Sequence, residues 1–166
     1  KEKVLTDEQF DAFLAALPDS HNGNELNLAA VISRYSGARL SEVLAMHPEQ
    51  LKFNEDDDVI TWAIPNGKGN KSRLTWLPGS LWHVLQDFSG FTISVGYVTV
   101  TTNRIMRKLG LRSSFHGLRH TMATNAIRKG MPINELADIL GHSDINTTRI
   151  YIETAKECPE SMKKLW

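Results

Sequence analysis

Val59-Ile60-Thr61-Trp62-Ala63-Ile64 and Arg73-Leu74-Thr75-Trp76-Leu77 are two short runs separated by Asn66-Gly67-Lys68-Gly69-Asn70. β-Branched and aromatic residues of this kind suit a pleated, half-buried surface. The Asn/Gly cluster between them is a hairpin signal. Leu51 to Phe53, just upstream, reads as a third strand. The result is one small antiparallel sheet, with Lys68 at the glycine-flanked tip of its hairpin.

Helical patterns lie on both sides. Thr6 to Gln9 forms a capping box with Leu5 and Phe10 as a hydrophobic staple. Phe10, Phe13, Leu14 and Leu17 recur at helical spacing, so a helix runs to about Leu17. The polar stretch Pro18 to Asn24 reads as a loop. Leu26 to Tyr35 is a second helix, interrupted at Ser36-Gly37, and Leu40 to Met46 a third, ended before Pro48. Beyond the sheet, Leu81 to Phe88 returns to helix, and Val98 to Leu109 follows with Gly110 at C′. Leu118, Met122 and Ala126 mark a helix ending at Gly130, Ile133 to Leu140 one stopped by Gly141, and Thr147 opens another. The expected fold class is α+β: mainly helical, with a three-stranded antiparallel sheet.

The 166 residues suffice for one domain with its own core. A single cysteine, Cys158, cannot form an internal disulfide, and there is no Cys-rich zinc pattern. That fits a reducing, cytoplasmic setting. No apolar run is long enough to span a membrane. Lys1 is not an initiator, so the chain is expected to be a piece of a longer protein. The formal net charge is zero, yet the charge is unevenly placed. Between Phe88 and Asn134 there is no Asp or Glu, while Arg104, Arg107, Lys108, Arg112, Arg119, Arg128 and Lys129 all fall there. Acid gathers at Glu55-Asp56-Asp57-Asp58. A neutral chain with one acid-free segment can still present a basic face to phosphates, the ordinary alternative being a solvated surface with uneven charge.

Several polar residues sit oddly for structure alone. Arg39 follows the glycine break between two apolar helices. His116-Gly117-Leu118-Arg119-His120 opens a helix and puts His116, Arg119 and His120 within one turn. His142 follows the helix-stopping Gly141, and Tyr151 lies nine residues later. Each has an ordinary alternative: an ion-paired or capping arginine, a solvated hairpin lysine, helix-terminal histidines, a core-edge tyrosine. As a set they suit a phosphodiester, because arginine forks clamp non-bridging oxygens and fixed positive charge stabilises a pentacovalent transition state.

In order along the chain, Ser36-Gly37-Ala38-Arg39-Leu40-Ser41-Glu42-Val43-Leu44, Gly67-Lys68-Gly69-Asn70-Lys71-Ser72-Arg73, His116-Gly117-Leu118-Arg119-His120-Thr121 and Leu140-Gly141-His142 through Tyr151 resemble the tyrosine recombinase, or phage integrase, family. The resemblance runs from Thr6 through Tyr151 and shows no departure at a catalytic position. It implies the fold of DNA breaking–rejoining enzymes and site-specific recombination through a 3′-phosphotyrosyl intermediate. Tyr151 would be the nucleophile. Arg39 and Arg119 would hold the scissile phosphate, and His142 would add a hydrogen bond to it. Lys68 would protonate the leaving 5′ oxygen. His116 would accept the tyrosine proton or orient the phosphate. Glu42 would buttress the site, with His120 behind it, and Lys71, Arg73, Arg104, Arg107 and Lys108 would contact DNA.

The same resemblance implies no metal or ATP, because the arginines and lysine supply the charge that Mg²⁺ provides elsewhere. The implied partner is double-stranded DNA with a specific crossover site, bound by four protomers. The isolated domain is expected to be monomeric and to lack the family's separate N-terminal domain. A bacterial or phage-encoded, nucleoid-associated protein is the implied setting, and type IB topoisomerases share the chemistry. Two rivals are weaker. A zinc hydrolase on His116, His120 and His142 lacks the glutamate that should follow the first histidine, where Gly117 stands. A non-catalytic helix-turn-helix spanning Ile133 to Ile152 leaves Arg39, Lys68 and Arg119 unexplained.

Overall fold

The computed structural model describes residues 4–65 and 72–142. Within them the order is α1 (Asp7–Ala15), α2 (His21–Ser36), α3 (Leu40–Leu44), β1 (Leu51–Asn54), β2 (Val59–Pro65), β3 (Ser72–Pro78), α4 (Trp82–Leu85), α5 (Val95–Lys108), α6 (Phe115–Arg128) and α7 (Ile133–Leu140). The expected helix from Thr147 lies outside the described residues.

The sheet is antiparallel throughout, in the order β1-β2-β3. Trp62 sits opposite Leu51 on one side and Thr75 on the other, while Ile60 faces Phe53 and Leu77. Because side chains alternate, Ile60, Trp62, Ile64, Thr75 and Leu77 share the buried face, leaving Leu74 and Trp76 outward. Trp62 is fully buried, and its indole N–H donates to Gln50 Oε1 at 3.1 Å. The helices close over this face. Leu26, Ala29, Ala30 and Ile32 of α2 and Leu118 of α6 are fully buried in one core cluster. Each such buried leucine or isoleucine contributes about 1.5–3 kcal/mol. A second, smaller cluster of Ala123, Leu136 and Leu140 seats α7 on α6.

The α1 capping box is present, with Thr6 Oγ1 accepting from Gln9 N–H and Gln9 Oε1 accepting from Thr6 N–H. Three expectations need correction. Pro18 to Asn24 is not all loop: α2 begins at His21, capped by Ser20 Oγ on Gly23 N–H at 3.0 Å. A Cβ at Gly23 would lie 1.8 Å from Pro18 O, so this polar first turn packs against the preceding chain. The helix expected over Leu81 to Phe88 is a 3₁₀ turn at Gly79–Leu81 followed by the single α-turn Trp82–Leu85. α5 starts three residues early, at Val95, because Ser94 caps it. Among the described residues no helix is long and apolar enough to cross a membrane.

Candidate active site

The site is built from two helix ends. α2 stops on Gly37, whose φ of 74° is left-handed, a conformation that costs a residue with a side chain about 1–2 kcal/mol. A Cβ there would approach Leu140 Cδ2 and Met122 Sδ to 2.9 Å. The break is tied by hydrogen bonds: Ser33 Oγ donates to Ala38 O, and Ser36 Oγ accepts from Ala38 N–H. Arg39 then caps α3 in extended backbone, its side chain 43% exposed. α7 likewise ends on left-handed Gly141, and His142 N–H returns to Ala137 O at 2.9 Å.

Arg119 reaches the same place from inside the fold. It is 1% exposed on α6, and its Nη1 donates to Gly37 O at 2.7 Å and its Nη2 to Leu140 O at 2.8 Å. Both carbonyls close helix C-termini, the negative ends of the α2 and α7 dipoles. A buried guanidinium is costly without compensation, and these two charge-assisted bonds help supply it. Nη2 also lies 3.1 Å from His142 Nε2.

Burial lowers the pKa of His142, and the charges of Arg119, Arg39 and Arg73 lower it further, to about 4 from 6.5. The ring is therefore neutral near pH 7. A guanidinium has donors only, so His142 Nε2 accepts and the ring proton resides on Nδ1. The arginine charges that disfavour imidazolium here favour an anion, and Glu42 offsets part of that charge through its pairing with Arg73.

Glu42 binds two of these arginines. Its Oε1 accepts from Arg39 N–H and from Arg73 Nη2, both at 2.8 Å, and its Oε2 from Arg73 Nη1. Burial pushes this carboxyl up, but the Arg73 hydrogen bond, the Arg39 N–H and both arginine charges outweigh it and hold the pKa below the ordinary value.

Arg73 itself is a correction. It was expected to face DNA, yet its fork is committed to Glu42 and its Nε donates to Ile139 O at 2.9 Å. The reason is parity: Arg73 pairs with Ile64 and shares the inward face with Thr75 and Leu77. That alternation is visible in the sequence and places the Arg73 side chain on the inward face.

The structure thus brings Arg39, Glu42, Arg73, Arg119 and His142 together. His116 is exposed and His120 half-buried on α6, their rings edge-to-face at 4.8 Å. Arg104, Arg107 and Lys108 are exposed on α5. Lys68, Lys71 and Tyr151 lie outside the described residues. Among the described residues no group of three His, Cys, Asp or Glu side chains is placed to hold a metal ion. A shallow concavity of about 590 Å³ is lined by Lys52, Phe53, Asn54, Glu55, Asp56 and Trp82 and includes none of these arginines.

The model of the Phage integrase family matches residues 3–157. The chain belongs to that family. Among curated family proteins, it is 32% identical over 171 residues to tyrosine recombinase XerC of Chlamydia caviae, covering 89% of this chain and 53% of that protein. Among solved structures, the catalytic domain of bacteriophage HP1 integrase superposes with a TM-score of 0.72 at 27% identity, covering 99% of this chain and 95% of the other. The XerH site-specific recombinase, in a post-cleavage complex with palindromic difH substrate, gives a TM-score of 0.76 at 23% identity, covering 98% of this chain and 52% of that one. The mainly helical fold with its three-stranded sheet is the tyrosine recombinase catalytic-domain fold. The chain spans 53% to 61% of the length of three curated relatives it matches.

Proposed function

We propose that this chain is the catalytic domain of a tyrosine site-specific recombinase that cleaves and rejoins double-stranded DNA without metal or ATP. One observation carries the reading: Arg119, locked by two helix ends, reaches His142 at 3.1 Å, and the half-exposed Arg39 stands at the start of α3 beside the same Gly37 turn. A corner built this way suits the non-bridging oxygens of one phosphodiester.

In the reaction, the Tyr151 phenolate oxygen attacks the scissile phosphorus. The new P–O bond to tyrosine forms as the P–O5′ bond breaks, and the 3′ phosphate stays on the protein. His116 takes the phenol proton, and Lys68 gives one to the departing 5′ oxygen. A phenol has a reference pKa near 10, so it needs this base and the positive field to react near neutral pH. Arg39 and Arg119 hold the phosphate oxygens through the transition state, and His142 can donate from Nδ1. Attack by another strand's 5′ hydroxyl reverses each step and conserves the bond energy. Arg104, Arg107, Lys108 and Lys71 contact the DNA backbone, and four protomers synapse two duplexes.

The test uses nicked duplexes with randomised arms, incubated with the protein in EDTA and denatured in SDS. An adduct that forms with the wild type and vanishes in Tyr151→Phe supports the reading. Saturated DNA binding with no adduct refutes it and favours a non-catalytic DNA-binding module.

A further inference from the structure

We propose that Arg73 is a positioning residue of the phosphate site: its guanidinium holds the Arg39 turn and the Gly141–His142 turn in one arrangement, so its loss slows strand cleavage without weakening DNA binding. The inference rests on the recombinase reading above and concerns a group that acts through its neighbours.

One side chain joins three elements. Arg73 is the second residue of β3, yet its two Nη groups bind Glu42 on α3 and its Nε binds Ile139 O on α7. The Glu42 oxygen that takes Arg73 Nη2 also takes the backbone N–H of Arg39. The position of the Arg39 backbone is therefore set by a carboxylate that Arg73 orients. At the other end, a Cβ on Gly141 would meet Arg73 Cδ at 2.9 Å and Nε at 3.0 Å. The glycine before His142 thus gives a left-handed turn and also leaves room for this guanidinium.

Arg73 and Arg39 differ in what their guanidiniums already hold. Arg73 and Glu42 side chains are 16% and 17% exposed, against 43% for Arg39. Arg39 is available to a phosphate, whereas the donors of Arg73 point inward. A lysine in its place offers a point charge without the fork, so it cannot span both Glu42 oxygens and Ile139 O. In the chain, Arg73 lies five residues after Lys68, and His142 nine before Tyr151. The clasp itself joins β3 to α3 and to the end of α7.

The experiment compares wild type with Arg73→Lys and Arg73→Ala in the full chain, measuring equilibrium affinity for a nicked duplex and the first-order rate of adduct formation at saturating DNA. Affinity is expected to hold while the rate falls on the order of 100-fold, the scale of a small misplacement of reacting groups. Ethylguanidinium added to Arg73→Ala should restore part of the rate and leave Arg73→Lys unaffected. A rate equal to wild type overturns the proposal. So does a loss of affinity with a salt slope smaller by about one, which marks a direct phosphate contact. Arg73→Lys carries the test if the alanine variant does not fold. A second readout needs no DNA: the NMR signals of the Arg39 amide and the His142 ring should both move in Arg73→Lys, and an unmoved Arg39 amide overturns the proposal. If the wild type forms no adduct, the recombinase reading fails while this readout still decides the role of Arg73.

Discussion

Arg119→Lys separates the two tasks given to Arg119, holding helix ends and holding phosphate. The arginine sends Nη1 to Gly37 O and Nη2 to Leu140 O, bonds of 2.7 and 2.8 Å inside a 1%-exposed environment. A lysine keeps the charge but has one compact head, so at least one carbonyl loses its donor. A hydrogen bond to a charged group contributes about 1.5–3 kcal/mol, and a buried unsatisfied partner adds a cost of similar scale. Partial relaxation of the helix ends sets the expectation at about 2–4 kcal/mol of lost stability. For a domain of this size that is a fall in Tm of roughly 5–15 °C. Urea unfolding followed by circular dichroism measures it, with an unchanged m-value as the sign that only stability moved. Arg39→Lys is the control: its exposed side chain has only a 3.9 Å approach to Glu42, so its cost should stay within about 0.5 kcal/mol. Equal stability losses in the two variants would refute the division of labour, as would a loss below about 0.5 kcal/mol for Arg119→Lys.

Further expectations follow from single residues. His142 should titrate near pH 4 by NMR, well below the usual imidazole range. Because its folded pKa is depressed, its contribution to stability is fully present above about pH 6.5 and is lost as pH falls toward 4; a midpoint at or above 6.5 would contradict the burial and three-arginine origin given for the shift. Gly37→Ala should cost more than about 2 kcal/mol in urea unfolding, since left-handed strain adds to the approach to Leu140 and Met122; a neutral change would mean the turn is not under that constraint. Glu25→Gln should raise amide exchange at Thr92 and Ile93, whose N–H groups donate to the Glu25 carboxylate, while the sheet stays protected; unchanged exchange would show that this carboxylate does not anchor the segment entering α5.

Much of this was legible because local rules and tertiary packing agree. Thr6 and Gln9 cap α1 as their spacing requires, and the alternation in Val59 to Ile64 and Arg73 to Leu77 specifies a sheet buried on one face. Arg39, Arg119 and His142 stand out in the sequence because each sits near a glycine break or a helix end, and the fold brings those ends together. The misses share a cause. The start of α2 is set by Ser20 and by Gly23 against Pro18, a contact that polarity conceals. Arg73 was read by its charge, whereas its place on the inward face beside Thr75 and Leu77 decided its partner. The link from Arg73 through Glu42 to the Arg39 backbone joins residues 31 and 34 positions apart, beyond any local pattern.

The most direct test of the central claim is to locate the covalent bond itself. The SDS-resistant adduct would be digested with nuclease and trypsin and its peptides sequenced by mass spectrometry. The account predicts a nucleotide 3′-phosphate on Tyr151, within the tryptic peptide spanning residues 150–156, and a free 5′ hydroxyl on the released strand. A modification on any other residue, or a 5′-linked nucleotide, would contradict it.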